Sequence, residues 1–398
     1  MLHVGAGKRT LRIFGAGGGG FGFPSFNLPL NDLGNGIVNA VPAQSSGSPV
    51  ATFTRASVAL AKLASGLFGQ VAPGIARAHY LGRDTAVGAY GGYLSEPAGA
   101  QLVTPTAAIR DMTDASWVKL GVTAAKTATG IDGVPNSATT LTATAPGGTI
   151  LQTLVAAATA RTYSVFLRRK TGTGTITIQQ GATTLDVTAQ LNSVTYTRVQ
   201  LNASILNAAF GIVTGTATDV IEADFNQFEA LAATQFATSP MASAGAARAA
   251  DVWTFPSAGN IDFTQGTVYA ELSTNFTING TQATAIDATT GVPMFLAAGS
   301  SSTQLVMLDL TTVNTKSGMS DMNSAVRKCA CSWGATGQNI TGDGLVPANV
   351  AFDGTMGSGA NIGIGCTATG GAQWNGTIRN LRIYPTQLNN AQLQALTA

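Results

Sequence analysis

Thr175-Ile-Thr-Ile178 and Thr195-Tyr-Thr-Arg-Val-Gln-Leu201 decide the fold class of this chain. Each alternates with a period of two, through Ile176 and Ile178 in the first and Tyr196 and Arg198 in the second, as half-buried antiparallel strands require. Short runs of the same kind flank them, including Ala138-Thr-Thr-Leu-Thr-Ala-Thr144, Tyr163-Ser-Val-Phe-Leu167 and Phe210-Gly-Ile-Val213. Turn residues separate these runs. Many short strands at such spacing predict a sandwich or jelly roll over residues 100–250.

A second series follows over residues 251–398. It contains Gly266-Thr-Val-Tyr-Ala-Glu-Leu272, Gln304-Leu-Val-Met-Leu308, Val326-Arg-Lys-Cys-Ala-Cys-Ser-Trp333, Asn361-Ile-Gly-Ile-Gly365 and Thr377-Ile-Arg-Asn-Leu-Arg-Ile-Tyr384. Arg379 and Arg382 break the alternation of Ile378, Leu381 and Ile383, which leaves room for a bulge. Only the tail, Asn389 to Leu396, reads as helix, with Leu388, Leu393 and Leu396 able to share a face. The expected fold is therefore all-β, with two antiparallel β-sandwich (jelly-roll) domains in tandem.

Upstream, residues 51–99 read as a connector. Ser57 to Leu67 is helix-compatible by propensity, but Val58 and Leu60 can also pair with Leu67 and Val71 in a hairpin around Gly66, and the hairpin is preferred. Residues 1–50 read as an extended glycine-rich arm whose Phe14, Phe21, Phe23 and Phe26 can drop into pockets on a neighbour; a disordered linker is the alternative. Gly15, Gly17 and Gly20 match a dinucleotide fingerprint by spacing. Gly22, Pro24 and Pro29 follow, so no helix can begin there to hold a pyrophosphate, and nucleotide binding is set aside.

Of the 398 residues, 45% are hydrophobic, enough for real cores, and 10% are charged, well below the roughly 25% of ordinary soluble proteins. So little charge gives weak like-charge repulsion, and the chain is easier to understand with surface buried against copies of itself or other proteins. A formal net charge of +2 provides no nucleic-acid or membrane footprint. No apolar run long enough for a membrane helix is present, and the basic start (Lys8, Arg9, Arg12) leads into glycine rather than a signal-peptide core. Cys329, Cys331 and Cys366 read as core thiols; in a strand the first two point to one face.

Two stretches resemble known families. Trp374-Asn-Gly-Thr-Ile-Arg-Asn-Leu-Arg-Ile-Tyr384 and the tail to Leu396 are similar to the closing strand and helix of concanavalin A-like (laminin G-like) jelly rolls, a resemblance covering residues 251–398. Phe53-Thr-Arg-Ala-Ser57, Gly92-Tyr-Leu-Ser-Glu-Pro97, Trp117, Phe236-Ala-Thr-Ser-Pro240 and Arg248-Ala-Ala-Asp251 resemble bacteriophage virion proteins of the tail-fibre, head-fibre, collar or decoration type. There a hairpin precedes a carbohydrate-binding-module-like sandwich, which would be residues 100–250. After Glu96-Pro97 that pattern continues Arg-Thr-Asn, whereas Ala98-Gly99-Ala100 stand here. The resemblance implies a virion structural protein, anchored by its arm to a capsid, portal or tail partner. It would be a homo-oligomer with a trimer favoured, made in the host bacterial cytoplasm and released by lysis.

No catalytic constellation is legible. His79 is the sole internal histidine and has no nucleophile motif beside it, and Asp224 and Glu229 lack the spacing of glycosidase acids. The expectation is a non-enzyme, with no nucleic acid, membrane insertion or required cofactor; a polysaccharide-degrading enzyme is the remotest alternative. A carbohydrate-binding adhesin that recognises a host surface glycan is the nearer one. Its candidate residues are Trp374 with Asn375 in a predicted turn, Trp333 and Trp117. The laminin G-like resemblance adds a calcium option at Asp343, within Gly342-Asp343-Gly344, or at Asp353.

Overall fold

The computed structural model describes the chain outside residues 1–21, 35–36, 39–40, 83, 231–236, 242–246, 275–282, 289–294, 298–300, 310 and 324. It is built almost wholly from antiparallel strands, with one α-helix among the described residues.

Two five-stranded sheets make the first sandwich. One orders Val118–Leu120, Gly148–Thr153, Ala209–Thr214, Ile176–Gln180 and Thr183–Asp186; the other orders Val122–Ala128, Ala138–Ala143, Val220–Glu229, Thr159–Thr171 and Thr197–Ile205. Ile176 and Ile178 point into the core while Thr177 and Gln179 stay partly exposed, so the period of two holds. In the strand after Thr195 the phase differs from the sequence reading. Val199 and Leu201 are its strand residues in the core cluster, while the Arg198 guanidinium lies over the Phe166 ring and bonds Ser164 Oγ at 3.0 Å.

The second sandwich takes strands from far upstream. Gly376–Tyr384 pairs with Gly266–Thr274 on one side; its other edge is covered twice, by Phe26–Leu28 along Leu381 to Ile383 and by Tyr90–Ser95 along Gly376 to Ile378. In the opposing sheet Val252–Pro256 pairs with Thr52–Thr54. Without these segments a hydrophobic strand would present unpaired backbone at a sheet edge. The anticipated bulge is present: the register slips between Tyr269 and Glu271, opposite Asn380, whose φ is 51°.

This corrects the arm reading for its described part, from Gly22 onward. Phe26 is fully buried, packs edge-on against Phe255 at 4.9 Å and belongs to this sandwich's own core. Phe23 is 76% exposed, and Phe14 and Phe21 lie outside the described residues. The second sandwich is accordingly not confined to residues 251–398.

Ala59–Lys62 and Phe68–Val71 form the expected hairpin, with Gly66 at φ +84° in its turn. It packs between the sandwiches, Phe68 against Phe166 at 5.1 Å. The helix Asn390–Thr397 is capped by a reciprocal Asn389–Gln392 box and lays Leu393 on Tyr269, Ala330 and Tyr384.

Candidate functional site

Motif residues scattered over two hundred positions of sequence meet in one buried ionic knot. Arg55, from Phe53-Thr-Arg-Ala-Ser57, donates to Asp251 Oδ1 at 3.0 Å and to the carbonyls of Ser57 and Ala72 at 2.9 and 2.7 Å. Arg77 donates to Glu96 Oε2 at 2.9 Å, to Asp251 Oδ2, to Ser239 Oγ at 2.6 Å and to the Leu60 carbonyl at 2.9 Å. Ser239 returns its amide and hydroxyl to Glu96 at 2.8 and 2.7 Å. Arg248 lies 3.6 Å from both carboxylates and donates to the Pro97 carbonyl. The Glu96 amide donates to Asp251 at 3.0 Å.

The ion-paired side chains of this knot are no more than 3% exposed. Three guanidinium groups thus face two carboxylates out of water, an arrangement that holds only while every partner is present. Burial alone would push the Glu96 carboxyl up; the charges of Arg248 and Arg77, with the Ser239 hydrogen bond, outweigh it and bring it down to about 2. Beside the knot, burial drives His79 down to about 3, the positive charges of Arg77 and Lys62 adding to the effect, and its Nδ1 accepts the Lys62 amide at 3.1 Å. A centre with no solvent access has nowhere to admit a substrate. Its position explains it better: Arg55 leads out of one strand of the second sandwich, Asp251 leads into the neighbouring strand, Leu60 lies in the hairpin, and Ser239 lies beyond the last strand of the first sandwich.

The tryptophans proposed for glycan contact are core residues. Trp374 and Trp333 are fully buried and Trp117 is 1% exposed. Their indole N–H groups donate to Ser273 O at 2.7 Å, Asp262 O at 3.0 Å and Ala108 O at 2.9 Å. Asn375 does sit in a positive-φ turn, at 51°, but is itself buried, and that turn swings the Trp374 ring inward. The aromatic platform assigned to Trp374, Asn375, Trp333 and Trp117 is therefore corrected: a large ring carrying one polar N–H is satisfied in these cores by a single backbone carbonyl.

Asp343 accepts the Ser320 amide at 3.2 Å, and Asp353 accepts the Thr355 amide at 3.1 Å and the Thr311 hydroxyl at 3.1 Å, so each aspartate ties its loop to a neighbouring segment. Among the described residues no three of His, Cys, Asp and Glu come together as a metal site would need. Asp224 is buried against Arg110, and Glu229 is buried against Thr238 and Gln227. Cys329, Cys331 and Cys366 are free and buried, the first two in the same core, and burial pushes all three thiols up, Cys366 to about 11.

An open groove is also present among the described residues. With a volume of about 600 Å³, it lies at the rim of the second sandwich between the turn Gly334–Gly337, the segment Asn349–Gly354 and Thr264. Gln387 braces the turn from behind, accepting the Thr336 amide at 3.1 Å and donating to the Gly337 carbonyl at 2.6 Å. Asn349 Nδ2 ties the opposite wall to the Thr336 carbonyl at 3.2 Å and to Asn339 Oδ1 at 2.7 Å. Gly337, at φ +99°, allows this approach: a Cβ there would sit 2.5 Å from the Val350 carbonyl. Sequence reasoning missed both features. The groove draws small and neutral residues from three separate segments, which carry no local signal, and nothing local in the sequence says that Arg77 will be buried.

No protein-family model matches the chain, and no curated protein matches it. Among solved structures it is similar to the N-terminal CBM22-1-CBM22-2 tandem domain of Xyn10C from Paenibacillus barcinonensis. The identity is 10% and the TM-score 0.25, over 74% of this chain and 99% of that one.

Proposed function

We propose that this chain is a structural protein of a bacteriophage virion, in which two β-sandwiches are held as one rigid unit and projected as a fibre, collar or capsid decoration. The observation that carries this reading is the ionic knot. Arg55, Glu96, Ser239, Arg248 and Asp251 come from the stretches that resemble virion proteins, and they are joined to one another, out of solvent, where the two sandwiches and the hairpin meet. Residues used in this way serve architecture rather than chemistry. A surface with few charges suits permanent burial against other virion proteins or further copies of the chain, a homotrimer being the assembly proposed. The test is mass spectrometry of density-banded particles from the source phage. Peptides of this chain should be recovered at a fixed copy number; fully infectious particles that lack it would overturn the reading.

Recognition of a host surface glycan is the second reading. Its tryptophans are gone into the cores, and its support is now the groove at the rim of the second sandwich.

A further inference from the structure

We infer that the rim groove bounded by Gly334–Gly337 and Asn349–Gly354 is a binding site for a neutral saccharide unit. The inference deepens the recognition reading and depends on it. Its volume of about 600 Å³ falls within the roughly 300–1,000 Å³ of small-molecule sites.

The lining chooses the ligand class. The lining residues themselves carry no charge; the nearest ionised groups are the carboxylates of Asp353, which is held by Thr311 and Thr355, and Asp262, which is held by Thr264, so an anionic ligand would lose hydration there without gaining a counter-charge. What the walls offer is hydrogen-bonding groups of both senses and one ring. Asn349 commits its Nδ2 to the opposite wall and keeps Oδ1 to accept. The Thr336 and Thr264 side chains are exposed at the mouth, the latter held by Asp262 at 2.7 Å. Phe352 is half-buried, anchored on the core of the sandwich, and supplies an apolar ring to the lining. An apolar ring with amide and hydroxyl groups around it matches a sugar, which presents C–H faces and a circle of neutral hydroxyls.

Pre-organisation is also present. Gln387 and Asn349 hold the two walls in place, and Gly334 and Gly337 adopt φ of +149° and +99° that fix the turn. A site braced in this way loses little conformational freedom when it is filled.

The experiment is saturation-transfer NMR with calorimetric titration on the full chain. The neutral probes are methyl α-glucoside, lactose and N-acetylglucosamine, and the charged ones glucuronate and glucosamine. At least one neutral probe should bind with a Kd on the order of 1 mM. Ala351→Trp, at an exposed position in the wall, should weaken binding at least tenfold with the thermal transition unchanged; Asn349→Ala should weaken binding as much and also lower that transition, because the ties to Thr336 and Asn339 are lost, while Thr184→Ala on the other sandwich leaves binding as it was. Retained affinity in Ala351→Trp would overturn this site and leave the recognition reading standing elsewhere on the chain. Tighter binding of a charged probe would overturn the ligand class, and no binding of any probe would overturn both inference and recognition reading. Particle incorporation reports on the structural role separately.

Discussion

His79 is a histidine that folding keeps neutral. It is buried and its Nδ1 already accepts an amide proton; burial is the largest cost of protonating it, which the Glu96 charge eases and the charges of Arg77 and Lys62 increase. Unfolded, its imidazole takes a proton near pH 6.5; folded, only near pH 3. Between those values the unfolded chain binds more protons, so stability falls as pH drops through that window. At 1.36 kcal/mol per unit the loss by pH 5 is about 2 kcal/mol. Glu96, lowered from 4.5 to about 2, holds stability that is present above pH 4.5 and is lost as pH falls toward 2, so it contributes a second decline below that of His79. Urea unfolding at pH 7 and pH 5 should show the loss of about 2 kcal/mol in the natural chain and most of it gone in His79→Gln. An equal slope in both proteins would remove His79 as the cause. At this scale the sequence was misleading for exposure. A lone histidine without a nucleophile reads as structural, and His79 is buried with its Nδ1 taken up by the Lys62 amide. Asn375-Gly376 reads as an exposed turn, yet which way the Trp374 ring leaves that turn depends on a Ser273 carbonyl a hundred residues away.

Single strands show the same division. Ile176–Gln180 announced itself because one face is core and the other is partly wet, and that contrast is written locally. Phe26–Leu28 and Thr52–Thr54 are three residues each, too short to show a period, and their partners lie more than 350 and about 200 positions away. No local pattern encodes such a partner, so these segments read as arm and connector. Tyr90–Ser95 carries a clearer sign in Gly92. Its φ is +123°, and a Cβ there would lie 2.2 Å from the Ile378 carbonyl across the strand pair. Gly74 also has a positive φ, +71°, but with nothing within 4 Å. Gly74→Ala therefore pays only backbone strain, about 1 kcal/mol. Gly92→Ala adds a backbone clash that must part Tyr90–Ser95 from Gly376–Tyr384, and should cost at least about 2 kcal/mol more. Denaturant midpoints of the two variants measure the difference; similar midpoints would mean that this edge of the sandwich is not held as described.

Across the whole molecule the question is what makes two sandwiches one body. Their cores are separate, and each could melt alone if the joint between them were weak. The knot is the strongest candidate for coupling, because its charges have no water to fall back on. Asp251 receives Arg55 and Arg77 and also the Glu96 amide. Asp251→Asn keeps the shape but leaves three guanidinium groups against one carboxylate, and breaking a buried pair in this way costs about 3–5 kcal/mol. The loss falls at the junction rather than within either core. Calorimetry of the natural chain should then give one cooperative transition, and Asp251→Asn should give two, with the sandwiches unfolding at different temperatures. Lys126→Ala is the matched control, since the exposed Lys126 meets the partly exposed Asp111 at 3.5 Å at the surface and such a pair contributes about 1 kcal/mol or less. If Asp251→Asn melts in a single step at an unchanged temperature, the coupling must come from the hairpin packing of Phe68 against Phe166 instead, and the knot would be a buried ornament of the fold rather than its joint.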